Sequence, residues 1–284
     1  VDQLRCGSMN PGREHHEAQR AVLRARYTAS QARMTAATRA YRKTLVREMF
    51  AQPVRDYAYR CIGRPVSLLR AGHLASLDEL GLDQLRDSGF EVTVLTVDEA
   101  GPRFGPAGTD SRTAGDKTVL GDLRAVPMPP RSFDIVHCAL LLDRISHVEL
   151  VLDRFIAALR PGGLLLLHIR DRDCAAGFLD RIAPQWVRRA LWARLNPGQP
   201  GPFRAVYEPA GSDRGIRAYT QLRGLVISRR ETSRTSAAGS GRAGQAVSAV
   251  RGLIPRLTRG RLTDAHDEVL YVIRKPEDRF ARVV

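Results

Sequence analysis

Apolar positions along this chain change their spacing several times, and each change marks an element. Phe133–Cys138 is a short, mainly apolar run of strand length. After it, Ile145, Val148, Leu152, Phe155 and Leu159 recur at steps of three and four, which puts them on one face of a helix. Pro161-Gly162-Gly163 is expected to end that helix sharply. Leu164–Ile169 is then continuously apolar, as in a strand covered on both faces. Upstream, Val66–Leu69 is a short apolar run. Leu74–Ser88 reads as a helix, with Leu74, Leu77, Leu80 or Leu82, and Leu85 on one side, although Gly81 interrupts it. Gly89 ends it, and Glu91–Val97 is rich in β-branched residues and closes at Asp98. Gly101–Lys117 has loop composition, and Thr118–Leu120 is a third strand ending at Gly121-Asp122. Near the C-terminus a helix-like Ile216–Arg223 precedes two further strands, Leu225–Ser228 and Glu268–Arg274.

Strands that alternate with helices imply parallel crossovers, so the fold class is α/β with a doubly wound, Rossmann-like sheet. Ahead of it, Glu14–Gln52 is rich in Ala and Arg, holds no Pro or Gly, and reads as one or two helices. Tyr41, Leu45, Val46 and Met49 form an apolar stripe there, with Phe50 beside them, and Pro53 is expected to mark a boundary. The division expected is a helical extension over 1–60 and an α/β domain over 61–284. An insertion at about 231–265 starts basic and rich in Gly and Ser, then turns helix-like around Ala246–Leu257. The apolar stripe needs a partner, so the extension reads as a lid or packing element rather than an oligomer contact or a nucleic-acid arm.

Composition narrows the partners. The 284 residues are 43% hydrophobic, enough for a packed core, and carry a net charge of +15. Of the 45 basic residues only Lys43, Lys117 and Lys275 are lysine. That positive field attracts nucleic acid, anionic lipid or acidic substrates, but the arginines are spread along the chain rather than clustered. Four scattered cysteines, Cys6, Cys61, Cys138 and Cys174, form no metal or disulfide pattern and suit a reducing, cytoplasmic setting. No apolar run approaches the ~18 residues a membrane-spanning helix needs, and no apolar stretch follows the N-terminal charges as in a signal peptide.

Gly121–Ile169 resembles the core of the class I S-adenosylmethionine-dependent methyltransferases, close to methyltransferase type 11. Asp122, Phe133-Asp134-Ile135-Val136 and Leu159-Arg160-Pro161-Gly162-Gly163 match that family's pattern in order and spacing. The terminal Glu268–Pro276 resembles its seventh strand, and a looser match by element order runs from Pro65 to Pro276. The resemblance implies a seven-stranded sheet with an antiparallel last strand, and S-adenosylmethionine as cofactor. It also implies a methyl transfer whose acceptor the sequence leaves open, with a small molecule favoured over nucleic acid. A methyltransferase-fold protein without catalysis is the alternative, and a basic nucleic-acid methyltransferase or binder the third. A dinucleotide oxidoreductase is disfavoured, because its first loop demands glycines more strictly.

Ligands of such sheets lie beyond the carboxyl ends of the strands, at the switch in strand order. The resemblance gives Asp98 the ribose hydroxyls and Asp122 the adenine amino group, with Leu123 beside the ring and Cys138 at the end of the fourth strand. Either aspartate could equally cap a loop or helix. The family's G-x-G-x-G loop is reduced here to Leu68-Leu69-Arg70-Ala71-Gly72-His73, where only Gly72 remains. Arg70 either pairs with the methionyl carboxylate or points to solvent beside a decayed pocket. His137, His147, His168, Asp171 and Asp173 are further candidates near the strand ends, any of which a structural role would also explain. Trp186, Trp192, Phe203 and Tyr207 follow the fifth strand and are expected to be core.

Overall fold

The computed structural model describes residues 44–61, 63–72, 80, 86–87, 92–98, 117–195, 205–234 and 242–277. A helix over 44–60 (α1) leads into β1 (Val66–Gly72), followed by β2 (Val92–Asp98), β3 (Lys117–Leu120) and β4 (Phe133–Ala139). Next come α2 (Val148–Ala158), β5 (Leu159–Arg170), α3 (Ala175–Ile182) and α4 (Gln185–Leu195). The chain ends with α5 (Asp213–Leu222), β6 (Val226–Ser233), α6 (Arg242–Leu257) and β7 (Glu268–Arg274).

These strands form one sheet in the order β3-β2-β1-β4-β5-β7-β6. Neighbours from β3 through β5 are parallel, whereas β7 runs antiparallel to both β5 and β6. The chain winds outward from β1 in one direction and then resumes at β4 on its other side. The strand order therefore reverses between β1 and β4, which is where open α/β sheets hold their ligands.

Both faces of the sheet are covered, as the continuous apolar β5 requires. On one face Leu69, Ala71, Val136, Leu165 and Leu167 pack with Val148, Val151, Leu152 and Phe155 of α2 and Ile216 of α5. On the other, Leu68, Ile135, Leu164 and Leu166 meet Val46, Met49, Phe50, Val54 and Tyr57 of α1. α1 is thus built into the core, although the sequence placed it in an extension ending at residue 60. Its helix also runs unbroken through Pro53, the expected boundary. The flanking Met49, Phe50 and Val54 are 1%, 0% and 1% exposed, and this burial outweighs the amide hydrogen bond that a proline removes.

Two of the motifs that carry the family resemblance have structural roles. Asp134 of Phe-Asp-Ile-Val lies at the N-terminal end of β4, away from the ligand end, and is fully buried. Its carboxylate accepts from Arg64 (2.7 and 2.9 Å), Arg160 (2.6 Å), the Ser67 amide (2.9 Å) and the Tyr57 hydroxyl (3.1 Å). One acid thereby ties α1, β1 and β5 to β4, and Arg160 belongs to the Arg-Pro-Gly-Gly motif. A Cβ on Gly163 would stand 2.8 Å from the Asp134 carbonyl, so the second glycine permits that close approach. The helix expected to run to Leu159 stops at Ala158, and β5 already includes the Pro-Gly-Gly segment. There Lys275 donates through Nζ to the carbonyls of Ile156 and Leu159, at the end of α2.

The remaining differences lie at element ends. α2 starts at Val148 rather than Ile145, because His147 sits at φ 61° and Glu208 accepts the amides of His147 (2.8 Å) and Val148 (2.9 Å). β6 is longer than its sequence reading, a largely exposed edge carrying Arg229 and Arg230, charges that discourage edge-to-edge pairing. The expected Leu74–Ser88 helix lies outside the described residues, except for buried Leu80 and a helical Arg86-Asp87.

Candidate functional site

At the reversal in strand order, β1 and β4 run side by side, with Arg70, Ala71 and Gly72 opposite His137, Cys138 and Ala139. The presumed cofactor loop is therefore strand as far as Gly72. Gly72 has φ +144°, and a Cβ there would lie 2.6 Å from the Ala139 carbonyl oxygen. Only glycine fits, so the two strand ends stay in close contact and Gly72 itself projects no side chain there. Arg70 sits two residues below this end, between Thr96 and His137, and shares its face of β1 with Leu68, under α1. Arg70 therefore belongs to strand β1 rather than to a loop, and it is partly buried.

Two acids mark the neighbouring strand ends. Asp98 is the last residue of β2, and its side chain is not among those described. Asp122 follows β3, and its carboxylate is already held by Arg124: Nε lies 2.8 and 2.9 Å from the two oxygens, Nη2 lies 2.5 Å from Oδ2, and the Arg124 amide donates at 2.8 Å. Arg124 also donates to the Ser146 hydroxyl at 2.8 Å, and Arg154 braces the turn by donating to the carbonyls of Arg124 and Val126. The Arg124 hydrogen bonds hold the Asp122 carboxyl below the usual carboxylate range. Leu123 and Cys138 are both 0% exposed within the α2-side core.

The candidate histidines sit in three different surroundings. His137 is buried under α1, edge-on to Phe50 with ring centroids 5.4 Å apart, and His168 pairs with Glu268 at 2.9 Å in full burial. His147 is exposed at the start of α2. Asp171 accepts the amides of Asp173 and Asp213 and approaches His266 at 3.3 Å, so it joins β5 to α5 and to the segment before β7. Of the four aromatics expected in the core, Tyr207 is buried, but Trp186 is 74% exposed because α4 leaves that side chain uncovered. The Phe203 position and the Trp192 side chain lie outside the described residues.

A cluster that the sequence reading missed stands above the ends of β4 and β5. Asp143, 4% exposed, faces Arg144 (3.7 Å) and Arg170 (4.0 Å) through Oδ2, while its Oδ1 has no partner among the described residues. Burial pushes the Asp143 carboxyl above the usual carboxylate range, against the pull of Arg170 and Arg144. Its backbone carbonyl accepts the amides of Val206 and Tyr207, and burial raises the Tyr207 phenol as well. The available sequence signal was an Asp-Arg pair directly after the apolar run of β4. Among the described residues no group of His, Cys, Asp and Glu could hold a metal ion. Cys61, Cys138 and Cys174 form no disulfide, and Cys174 caps α3 by accepting the Gly177 amide. Burial pushes the Cys174 thiol up to about 11, which makes it a poor nucleophile.

The comparisons with known proteins bear on the family and the fold. A family described as "Methyltransferase domain" matches residues 49–205, more than half of the chain. A malonyl-[acyl-carrier protein] O-methyltransferase of Yersinia pestis is 32% identical over 71 residues, and the match spans 25% of this chain and 25% of that protein. Among solved structures, a loganic acid methyltransferase with SAH is 11% identical, covers 85% of this chain and 96% of its own, and superposes with a TM-score of 0.52. An S-adenosylmethionine-dependent methyltransferase from Mesorhizobium loti is 16% identical, with 74% and 91% coverage and a TM-score of 0.45. The chain therefore belongs to the methyltransferase-domain family, the class I methyltransferases whose cofactor is S-adenosylmethionine.

Proposed function

We propose that this protein transfers the methyl group of S-adenosylmethionine to a small-molecule acceptor. The observation that carries this reading is the reversal of strand order between β1 and β4, where Gly72 permits the close approach of the two strand ends, with Asp98 ending β2 and Asp122 following β3. These groups fit an adenosine: a carboxylate only accepts hydrogen bonds, which suits ribose hydroxyls at Asp98 and an amino group at Asp122. Since Arg124 occupies both oxygens of Asp122, adenine enters as Arg124 withdraws toward Ser146, whose hydroxyl it already holds. Leu123 and Cys138 support the floor from within the core, and Arg70 receives no cofactor contact in this reading.

When bound, the cofactor supplies an electrophilic methyl group on a sulfonium, so the protein's task is chiefly to position an acceptor in line with it. Asp143, whose Oδ1 has no hydrogen-bond partner among the described residues, is the group near the ends of β4 and β5 proposed to take an acceptor's proton when its carboxyl is ionised.

Thermal unfolding with and without S-adenosylhomocysteine tests the assignment. Ligand at one hundred times Kd stabilises by about 2.7 kcal/mol, and Asp98→Ala and Asp122→Ala should each lose most of that gain. Full stabilisation of both variants would refute these contacts. The second reading, a methyltransferase fold kept for binding or assembly without catalysis, is favoured by the occupied Asp122 carboxylate; it predicts no methyl transfer to any acceptor and no stabilisation by S-adenosylhomocysteine.

A further inference from the structure

Beyond the end of β5, α3 and the turn that follows α6 frame a cavity of about 500 Å³ that is open to solvent, with Leu257 80% exposed at its rim. Phe178, Leu257 and Leu262 supply its apolar walls, and Arg181, Arg259 and Arg261 its charge. That volume and mixture suit a small organic ligand, since such pockets span about 300–1,000 Å³ and are mainly apolar with a few convergent polar groups.

The walls are fixed to one another. The Ala175 amide at the start of α3 donates to the Thr263 carbonyl at 2.7 Å, and Cys174 bridges to Thr263. Arg251 of α6 reaches Asp264 at 3.0 Å and Asp267 at 3.4 Å, which holds that helix to the segment entering β7. After α6, Gly260 donates to the Pro255 carbonyl (2.7 Å), Arg261 to the Thr258 carbonyl (3.1 Å), and the Leu262 amide to the Thr258 hydroxyl (3.3 Å). Arg259 at φ 50° and Gly260 at φ 76° make this a tight left-handed turn. The basic groups are presented by a constrained backbone.

None of Arg181, Arg259 and Arg261 forms an ion pair among the described residues. Three nearby arginines have acids: Arg188 pairs with Asp180, and Arg234 and Arg251 share Asp264. The Arg181 guanidinium lies 5.9 Å from the Phe178 ring centroid, and its buried Nε has no hydrogen-bond partner among the described residues. Burial and the neighbouring Arg172 lower its pKa, and Asp173 offsets only part of this. A partly desolvated cation of this kind gains most from an anion placed against it.

We propose that this cavity binds an organic carboxylate with an apolar body, the head held by Arg181 with Arg259 and Arg261 and the body lying against Phe178, Leu257 and Leu262. The site needs no S-adenosylmethionine and stands independently of the methyl-transfer reading. Calorimetric titration of the full chain with decanoate, decanol and inorganic phosphate tests it, with circular dichroism confirming that each variant is folded. Decanoate should bind with one-to-one stoichiometry, and decanol and phosphate each at least about tenfold more weakly. Arg181→Gln and the Arg259→Gln/Arg261→Gln pair should each weaken decanoate about tenfold and leave decanol unchanged. Phe178→Ala should weaken both decanoate and decanol. No decanoate binding at millimolar concentration, equal affinity for decanol, or unchanged decanoate affinity in both arginine variants would overturn the proposal. So would anionic phospholipid vesicles binding more tightly than decanoate with no effect of Arg181→Gln, which would assign this face to a membrane surface.

Discussion

Asp134 and Asp122 are both acids of the family pattern, and each is held by arginine, yet their burial gives them different roles. Asp134 is fully enclosed, so losing its charge strands Arg64 and Arg160 against a neutral group. Asp134→Asn is expected to cost about 3 kcal/mol, read from chemical denaturation, with little direct effect on ligand contacts. Burial alone would raise the Asp134 carboxyl, but the hydrogen bonds of Arg64 and Ser67 and the charge of Arg160 hold it below the usual range. A depressed folded value contributes stability that is complete above the unfolded pKa of about 3.9 and lost as pH falls through the folded value. Asp171 and Asp213 are depressed in the same direction. Stability should therefore fall steeply below about pH 4, and more shallowly in Asp134→Asn, because one of the titrating groups is gone. An identical acid limb in the variant would contradict this assignment.

Elements join through backbone details that residue patterns reveal only in part. Glu208 accepts two amides at the start of α2, where His147 offers no side-chain cap. Glu208→Ala should cost about 1 kcal/mol, seen as a lowered unfolding midpoint. Gly72→Ala should cost more, about 2 kcal/mol, because the φ and the Ala139 carbonyl both oppose a side chain, and cofactor affinity should fall with it. Equal affinity in a folded Gly72→Ala protein would move the site elsewhere. The α2 face and β5 were legible because burial on one or both faces imposes a period on the sequence. Pro53 was misread because the α1 core contacts are made across the sheet, and a local rule does not register them. Arg124 and Asp143 were missed for a related reason: their importance depends on partners such as Ser146 and Arg170, which only the fold brings near.

For the molecule as a whole, the charge of +15 overstates the free positive surface. Arg64, Arg124, Arg160, Arg230 and Arg251 all pair with acids within the structure, so composition alone is weak support for nucleic-acid binding. No helix among the described residues is long and apolar enough to cross a membrane. What unites fold and family is the reversal between β1 and β4, with its glycine and its flanking acids. Calorimetric titration of the intact protein with S-adenosylhomocysteine tests that claim most directly. One-to-one binding at micromolar Kd, weakened about tenfold by Asp122→Ala, is the predicted result. No heat at millimolar ligand would contradict it.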